Sequence, residues 1–291
     1  MTFGCIDIGS NTTRLLVAEL DGGRLREILN RRVFTCIGAS ASASGEIPPE
    51  KVAETSTVTR ALTAEARGLG ASQIGIVGTA AIRQAPNREE LERAVRAATG
   101  LRLRVLSGTE EAELSFAGAC HALEHAPGRL AVVDVGGGST EIAVGHAHRA
   151  PEWSQSLRMG SSLLCERHLR SDPPTAGEID AACAEVDELL AGVDSPAADS
   201  AVAVGGTATS LTGLVGERLT KESLKSGLAR LCALSAQETA VELGLPLERA
   251  RLLPAGIAVL AGIAAWLGCA LQIVRGGVRE GTVLQMAGRG A

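Results

Sequence analysis

Short apolar runs alternate with longer amphipathic stretches along this chain, the pattern of strands and helices taking turns. Phe3 to Asp7 and Arg14 to Leu20 read as strands flanking a tight polar loop. The Ala/Ser/Gly/Pro-rich stretch Ala39 to Glu50 reads as a mobile loop, and Val52 to Leu69 as a helix. Ile74 to Val77, Leu101 to Leu106, Leu130 to Val133 and Ala201 to Val204 have the length and apolarity of short strands. Four capping residues are followed three positions on by Glu and predict helix starts: Asn87, Ser107, Thr175 and Ser235. The first two helices run to about Thr99 and His125, Ala126-Pro127-Gly128 breaks the chain, and Ala191 to Ser200 connects. Near the end, Pro254 to Leu267 reads as a buried helix stopped by Gly268, with Leu271 to Arg275 as a strand. The fold class is α/β, helices packed on mixed sheets.

One segment repeats. Asp7-Ile8-Gly9-Ser10-Asn11-Thr12-Thr13-Arg14-Leu15-Leu16-Val17 aligns without gaps on Asp134-Val135-Gly136-Gly137-Gly138-Ser139-Thr140-Glu141-Ile142-Ala143-Val144. Each copy is an apolar strand, an Asp, a Gly-led loop with hydroxyls, then a second strand. A repeat this distant predicts two related domains facing each other, 1–124 and 125–291, rather than a solenoid.

Composition narrows the function classes. Lys and Arg number 28 against 33 Asp and Glu, a net charge of -5, so no basic excess attracts a nucleic-acid backbone. Aromatics are 2% with no Tyr, which removes base-stacking platforms. Cysteines number seven, an odd count at wide spacing with no C-x-x-C, which excludes a zinc ribbon and reads as reduced cytosolic thiols. Met1-Thr2-Phe3-Gly4-Cys5 lacks a basic n-region and does not read as a signal peptide. Leu252 to Val274 carries no charge and is long enough to cross a bilayer, but Pro254 and Gly268 divide it into a helix and a strand.

An anionic ligand must therefore be met by local groups. A Gly after a strand lets backbone turn tightly and approach a ligand, and successive N–H groups make a concave anion site. An Asp at the strand end can hold a divalent cation or its waters. One such loop is equally a hairpin turn; two matching loops make two phosphate-binding walls with carboxylates. No G-x-x-x-x-G-K-[ST] occurs, Glu141 replaces the last Gly of a dinucleotide fingerprint, and no G-x-S-x-G elbow is present. His121 and His125 share a predicted helix face and read as solvated, with His146 and His148 in a loop. If Ser107 caps its helix with Glu110, Glu111 is left in the first turn, where the helix dipole favours its anion. Arg83 follows a strand directly, as either a functional cation or a surface residue.

These motifs, in order, resemble the exopolyphosphatase/guanosine pentaphosphate phosphohydrolase (Ppx/GppA) family. They are Asp7-Ile8-Gly9-Ser10-Asn11-Thr12, Gly78-Thr79-Ala80-Ala81-Ile82-Arg83 with Asn87, Ser107-Gly108-Thr109-Glu110-Glu111-Ala112, Asp134 to Glu141, Gly206-Thr207-Ala208-Thr209 and Arg279-Glu280-Gly281. The resemblance implies two duplicated actin-like domains (ribonuclease H-like, as in sugar kinases and heat-shock ATPases) around a central cleft. It implies removal of terminal phosphate from inorganic polyphosphate, or of the 5′ γ-phosphate from guanosine pentaphosphate, with Mg²⁺ and a monovalent cation such as K⁺ as an optional companion. By resemblance, Glu111 activates water, and Asp134, Glu141 and Asp7 bind the metal or its waters. Ser10, Asn11, Thr12, Arg83, Gly136, Gly137, Gly138, Ser139, Gly206 and Thr207 then cradle phosphate. A cytoplasmic homodimer, with neither nucleic acid nor membrane as partner, completes the expectation.

There are departures. Thr12 stands where the family usually has Ser and keeps the hydroxyl. Met159-Gly160-Ser161-Ser162-Leu163 lacks the Arg of the common Gly-x-x-Arg-Leu stretch. The sequence runs only briefly past Arg279-Glu280-Gly281, without the helical region by which longer members extend a polymer channel. Besides polyphosphate and pentaphosphate hydrolysis, a kinase of the same fold and a non-catalytic phosphate sensor stay open.

Overall fold

A computed structural model of the chain describes residues 1–38, 40, 45–123, 125–126 and 128–289. Parts of the expected loop at 39–50 and of the break at 126–128 lie outside the described residues. The chain forms two compact units: Met1–His121 with Gly276–Ala291, and Ala122–Arg275. The internal boundary falls near the expected one, but the expectation that 125–291 is a single domain needs correction. The final helix, Val278–Arg289, sets Val278 and Val283 into a cluster with Phe3, Cys5, Leu16 and Leu114, so it completes the first unit's core.

The first unit is a five-stranded sheet in the order β3-β2-β1-β4-β5. β1 (Thr2–Ile8), β2 (Thr12–Asp21) and β3 (Arg24–Phe34) are an antiparallel meander; β4 (Gln73–Gly78) and β5 (Leu103–Val105) run parallel to β1. Period-two alternation divides β1: Ile6 and Ile8 enter one apolar cluster, with Leu62, Leu91 and Val95, while Phe3 and Cys5 enter the other. The helices Pro49–Gly68 and Arg88–Thr99 supply Leu62, Leu91 and Val95. Asp7 shares the parity of Phe3 and Cys5 and so lies on the face of the final helix.

The second unit has six strands in the order β10-β11-β9-β6-β7-β8. β6 (Arg129–Val135), β7 (Thr140–His146) and β8 (Trp153–Leu157) are again an antiparallel meander. β9 (Ser200–Val204) and β11 (Leu271–Ile273) run parallel to β6, and β10 (Arg218–Leu219) caps the edge. From meander through the two parallel strands, the connectivity reproduces that of the first unit. The longest uncharged stretch of the chain ends up at the centre of this core. In the helix Leu253–Leu267, every residue from Leu253 to Leu260 is buried. The 21-residue stretch Leu247–Leu267 has the length and hydropathy of a membrane span, and this packing accounts for its apolarity.

Of the four expected capping boxes, those at Ser107, Thr175 and Ser235 form, with reciprocal bonds to Glu110, Glu178 and Glu238. The one at Asn87 does not form, because that side chain turns to Ile47. The helix Gly108–Ala122 ends before His125, so His121 and His125 share no helix face. His121 accepts the Leu25 N–H at 2.9 Å through Nε2, and His146 closes β7 rather than lying in a loop.

Candidate functional site

The repeated segments fold as the same hairpin twice. In the first unit Gly9 N–H donates to Thr12 O at 3.0 Å, and in the second Gly136 N–H donates to Ser139 O at 2.9 Å. The registers match as well: Asp7 lies opposite Arg14, and Asp134 opposite Glu141. A parallel strand follows in each case, pairing Asp7 with Val77 and Asp134 with Val204.

In the first unit, Ser10 and Thr12 are buried beneath the segment that follows β3. Thr35 and Cys36 donate their N–H groups to Asn11 O at 3.1 and 3.0 Å, and Gly38 donates to Ser10 O at 2.8 Å. The loop's carbonyls at Ser10 and Asn11 are thus held by the backbone of this segment. Arg83 sits on the short helix Ala80–Gln84. Its Nη1 donates both to Leu106 O and to Glu111 Oε2, each at 2.8 Å. Glu111 is 6% exposed, in the first turn of the helix Gly108–Ala122. Its neighbour is committed elsewhere. Glu110 Oε2 accepts the Ser107 N–H at 2.8 Å, and Oε1 accepts Arg104 Nη2 at 2.6 Å. The Arg104 bond, then the Ser107 N–H, holds the Glu110 carboxyl down at about 2. Glu111 is thus the buried acid, oriented by Arg83, while the more exposed Glu110 is held by Arg104 and the cap.

In the second unit, the helix Ser161–His168 orients the glycine loop. Ser161 N–H donates to Gly136 O at 2.9 Å; Ser162 and Leu163 N–H donate to Gly137 O at 2.9 and 3.1 Å. A Cβ on Gly160 would lie 2.2 Å from Gly137 O, so this approach requires glycine. The stretch that lacks the expected Arg is therefore the scaffold of the glycine loop, with half-buried Leu163 in the guanidinium's place. Ser139 and Thr207 are 3% and 2% exposed. Gly206 and Thr207 lie in the first turn of the helix Gly205–Val215, where N–H groups and dipole favour an anion.

Asp134 and Glu141 meet the demands of a hard divalent cation. Directly opposed residues share a sheet face, so both carboxylates stand on the same side of β6 and β7. Glu141 is 2% exposed, and Ser156 Oγ donates to its Oε1 at 2.7 Å. Asp134 packs against Gly205, whose φ is +82°; a Cβ there would stand 2.2 Å from Asp134 Oδ1. Among the described residues no three His, Cys, Asp or Glu side chains gather around one point. Mg²⁺ needs only one or two carboxylates, completing its shell with waters and substrate phosphate. Asp7, expected as a third acidic ligand, lies in the other unit and has Arg14 as its cross-strand partner.

A model of the Ppx/GppA phosphatase family matches residues 16–289. The chain belongs to that family. Exopolyphosphatase 2 of Mycobacterium tuberculosis is 36% identical over 225 residues, 72% of this chain and 69% of that protein. Exopolyphosphatase 1 of Mycobacterium bovis is 29% identical over 98% of this chain and 88% of its own length. The crystal structure of the Aquifex aeolicus Ppx/GppA family member superposes with a TM-score of 0.85 at 27% identity, covering 99% of this chain and 98% of that one. An exopolyphosphatase from Cytophaga hutchinsonii, at 20% identity and a TM-score of 0.89 over 98% of this chain and 97% of its own, shares the fold. As a Ppx/GppA protein, the chain is an actin-like phosphoanhydride hydrolase.

Two features of this Ppx/GppA chain escape a reading by motif. The glycine against Asp134 is Gly205, one residue before the Gly206 that the motif singles out. The other feature is a row of charge. β2 and β3 set Arg14 opposite Arg32, and Arg279 reaches the same cluster from the final helix, donating to Asn30 Oδ1 at 2.9 Å. Burial, then the Arg279 and Arg32 guanidiniums, push the Arg14 pKa down, yet a guanidinium stays cationic. The gap-free repeat carried the signal: Arg14 aligns on Glu141. One hairpin pairs an Asp with a base, and its copy pairs an Asp with an acid.

Proposed function

We propose that this protein is an exopolyphosphatase, releasing orthophosphate from the end of inorganic polyphosphate. The observation that carries the reading is Glu111, a buried carboxylate at a helix start held by the Arg83 guanidinium at 2.8 Å. A general base must present a carboxylate in fixed orientation while remaining close to water's proton. In this reading, water oxygen bonds to the terminal phosphorus as its proton passes to Glu111. The P–O bond to the next phosphate breaks, and the shortened chain leaves as the anion. Asp134 and Glu141 would hold Mg²⁺, which would offset phosphate charge and polarise the P–O bonds. Backbone N–H groups of the Asn11–Thr12 and Gly137–Ser139 loops, and of Gly206 and Thr207, bind phosphate oxygens. Fixed positive charge supports the same reading. The Nε atoms of Arg14 and Arg32 are buried without a hydrogen-bond partner, an arrangement that an anion relieves. In a chain of net charge -5, that local field is what can attract a polyanion.

The test is turnover of polyphosphate, guanosine pentaphosphate and ATP side by side, in wild type, Glu111→Gln and Glu110→Gln. Loss of the base costs about 10²–10⁴-fold in rate, and the Glu110 variant loses far less. Equal losses at intact fold overturn the assignment of Glu111. Preference for the pentaphosphate moves the substrate to the family's other hydrolysis, and no turnover of any of the three favours a phosphate sensor.

A further inference from the structure

An Asn before a helix ordinarily accepts an N–H from the first turn. Asn87, before the helix Arg88–Thr99, makes no such bond. Its Oδ1 accepts the Ile47 N–H at 2.9 Å, and its Nδ2 donates to Ile47 O at 2.9 Å. The side-chain amide thus pairs with both backbone groups of one residue, as a neighbouring strand would. Ile47 is 1% exposed, in the cluster with Ile8 and Leu91.

What Asn87 grips matters because of where that chain leads. The residues that follow β3 lie against the first phosphate loop. Thr35 and Cys36 bond to Asn11 O, and Gly38 to Ser10 O. Ile47 leads into the helix Pro49–Gly68, whose Lys51 Nζ donates to Thr35 O at 2.9 Å. Thr35 is therefore tied to the phosphate loop through its own N–H on Asn11 O and, through Lys51 and the lead into that helix at Ile47, to Asn87. Asn87 itself follows closely on the helix Ala80–Gln84, whose Arg83 orients Glu111. One side-chain amide ties the backing of the phosphate loop to the element that carries the base's partner.

We propose that Asn87 is a positioning residue for substrate: by gripping Ile47 it fixes the segment behind Ser10 and Asn11, and so sets affinity for phosphate rather than the rate of bond breaking. This rests on the hydrolase reading for the substrate and on geometry alone for the grip. Asn and Asp are equally good helix caps. Asp, however, has no N–H to give Ile47 O, and its carboxylate repels that carbonyl. Asn87→Asp therefore separates the grip from a cap, and Asn87→Ala removes both.

The experiment measures steady-state hydrolysis of short polyphosphate and amide hydrogen exchange on the full chain, for wild type and both variants. Asn87→Ala, which loses both bonds to Ile47, raises KM about tenfold, and Asn87→Asp, which loses the one to Ile47 O, raises it about threefold or more, both with kcat within about twofold. Exchange at Cys36 and Gly38 speeds up in both, and at Ile47 in Asn87→Ala, while Val95, inside the helix Arg88–Thr99, keeps wild-type protection in Asn87→Asp. Should Asn87→Ala not fold, Asn87→Asp carries the test alone. Wild-type KM and exchange in Asn87→Asp overturn the proposal in favour of a cap. A fall in kcat with KM unchanged overturns it too, since positioning for binding would not produce that. A wild type that hydrolyses none of the substrates defeats the hydrolase reading and the substrate half of the proposal with it. Exchange at Cys36 and Gly38 still decides whether Asn87 fixes the loop.

Discussion

Replacing Arg83 by Met keeps a long side chain and removes the charge that faces Glu111. The two side chains are 21% and 8% exposed, and their atoms are 2.8 Å apart. Removing one partner of a buried pair costs about 3–5 kcal/mol, because the other charge is left uncompensated. Partial exposure of Arg83 puts this pair at the low end, about 3 kcal/mol. At about 3–4 °C per kcal/mol for a unit of this size, the thermal midpoint of the first unit falls by about 10 °C. The decisive assay is a double-mutant cycle with Glu111→Gln. Once Glu111 is neutral there is no charge to strand, and Arg83→Met then costs less by about 1–3 kcal/mol. Urea unfolding of the four proteins measures the coupling. Additive losses would refute the claim that Arg83 orients the base.

Asp134→Asn, at intact fold, should raise the Mg²⁺ concentration needed for half-maximal turnover at least tenfold; an unchanged requirement removes Asp134 from the metal site. Gly205→Ala places a Cβ at φ +82° and 2.2 Å from Asp134 Oδ1, so stability falls by about 1–2 kcal/mol and the Mg²⁺ requirement rises. Gly206→Ala, inside the helix and without a positive φ, escapes that backbone strain and should destabilise less; equal losses of thermal stability in the two variants contradict this account. The Glu110 carboxyl is held near 2 against an ordinary 4.5, so its contribution is complete above pH 4.5 and disappears as pH falls toward 2. Acid unfolding of Glu110→Gln lacks that component, and a wild type–variant difference that stays constant from pH 6 to 2 would contradict it.

Much of this protein is local, and the sequence alone determined that part. The gap-free repeat specified two copies of one hairpin, because side-chain alternation leaves a strand pair a single register that buries its apolar face. It therefore required the two hairpins to share one register, which the structure shows to set Asp134 opposite Glu141 and Asp7 opposite Arg14. Three capping boxes formed because donor and acceptor lie within one helical turn. Those contacts need no knowledge of the rest of the chain. The strand β3 escaped notice because it is an edge strand, largely exposed, with no apolar alternation to show. The final helix could not be assigned to the first unit, since its partners Phe3, Cys5 and Leu114 are distant in sequence and apolarity carries no address. The same holds for the side chains that act at long range. Only tertiary structure decided that Arg83 would grip Glu111, that Arg14, Arg32 and Arg279 would cluster, and that Asn87 would forgo its helix for Ile47. A guanidinium or an amide bonds to whatever the packing of the sheet brings within 3 Å, and that choice is made by the fold.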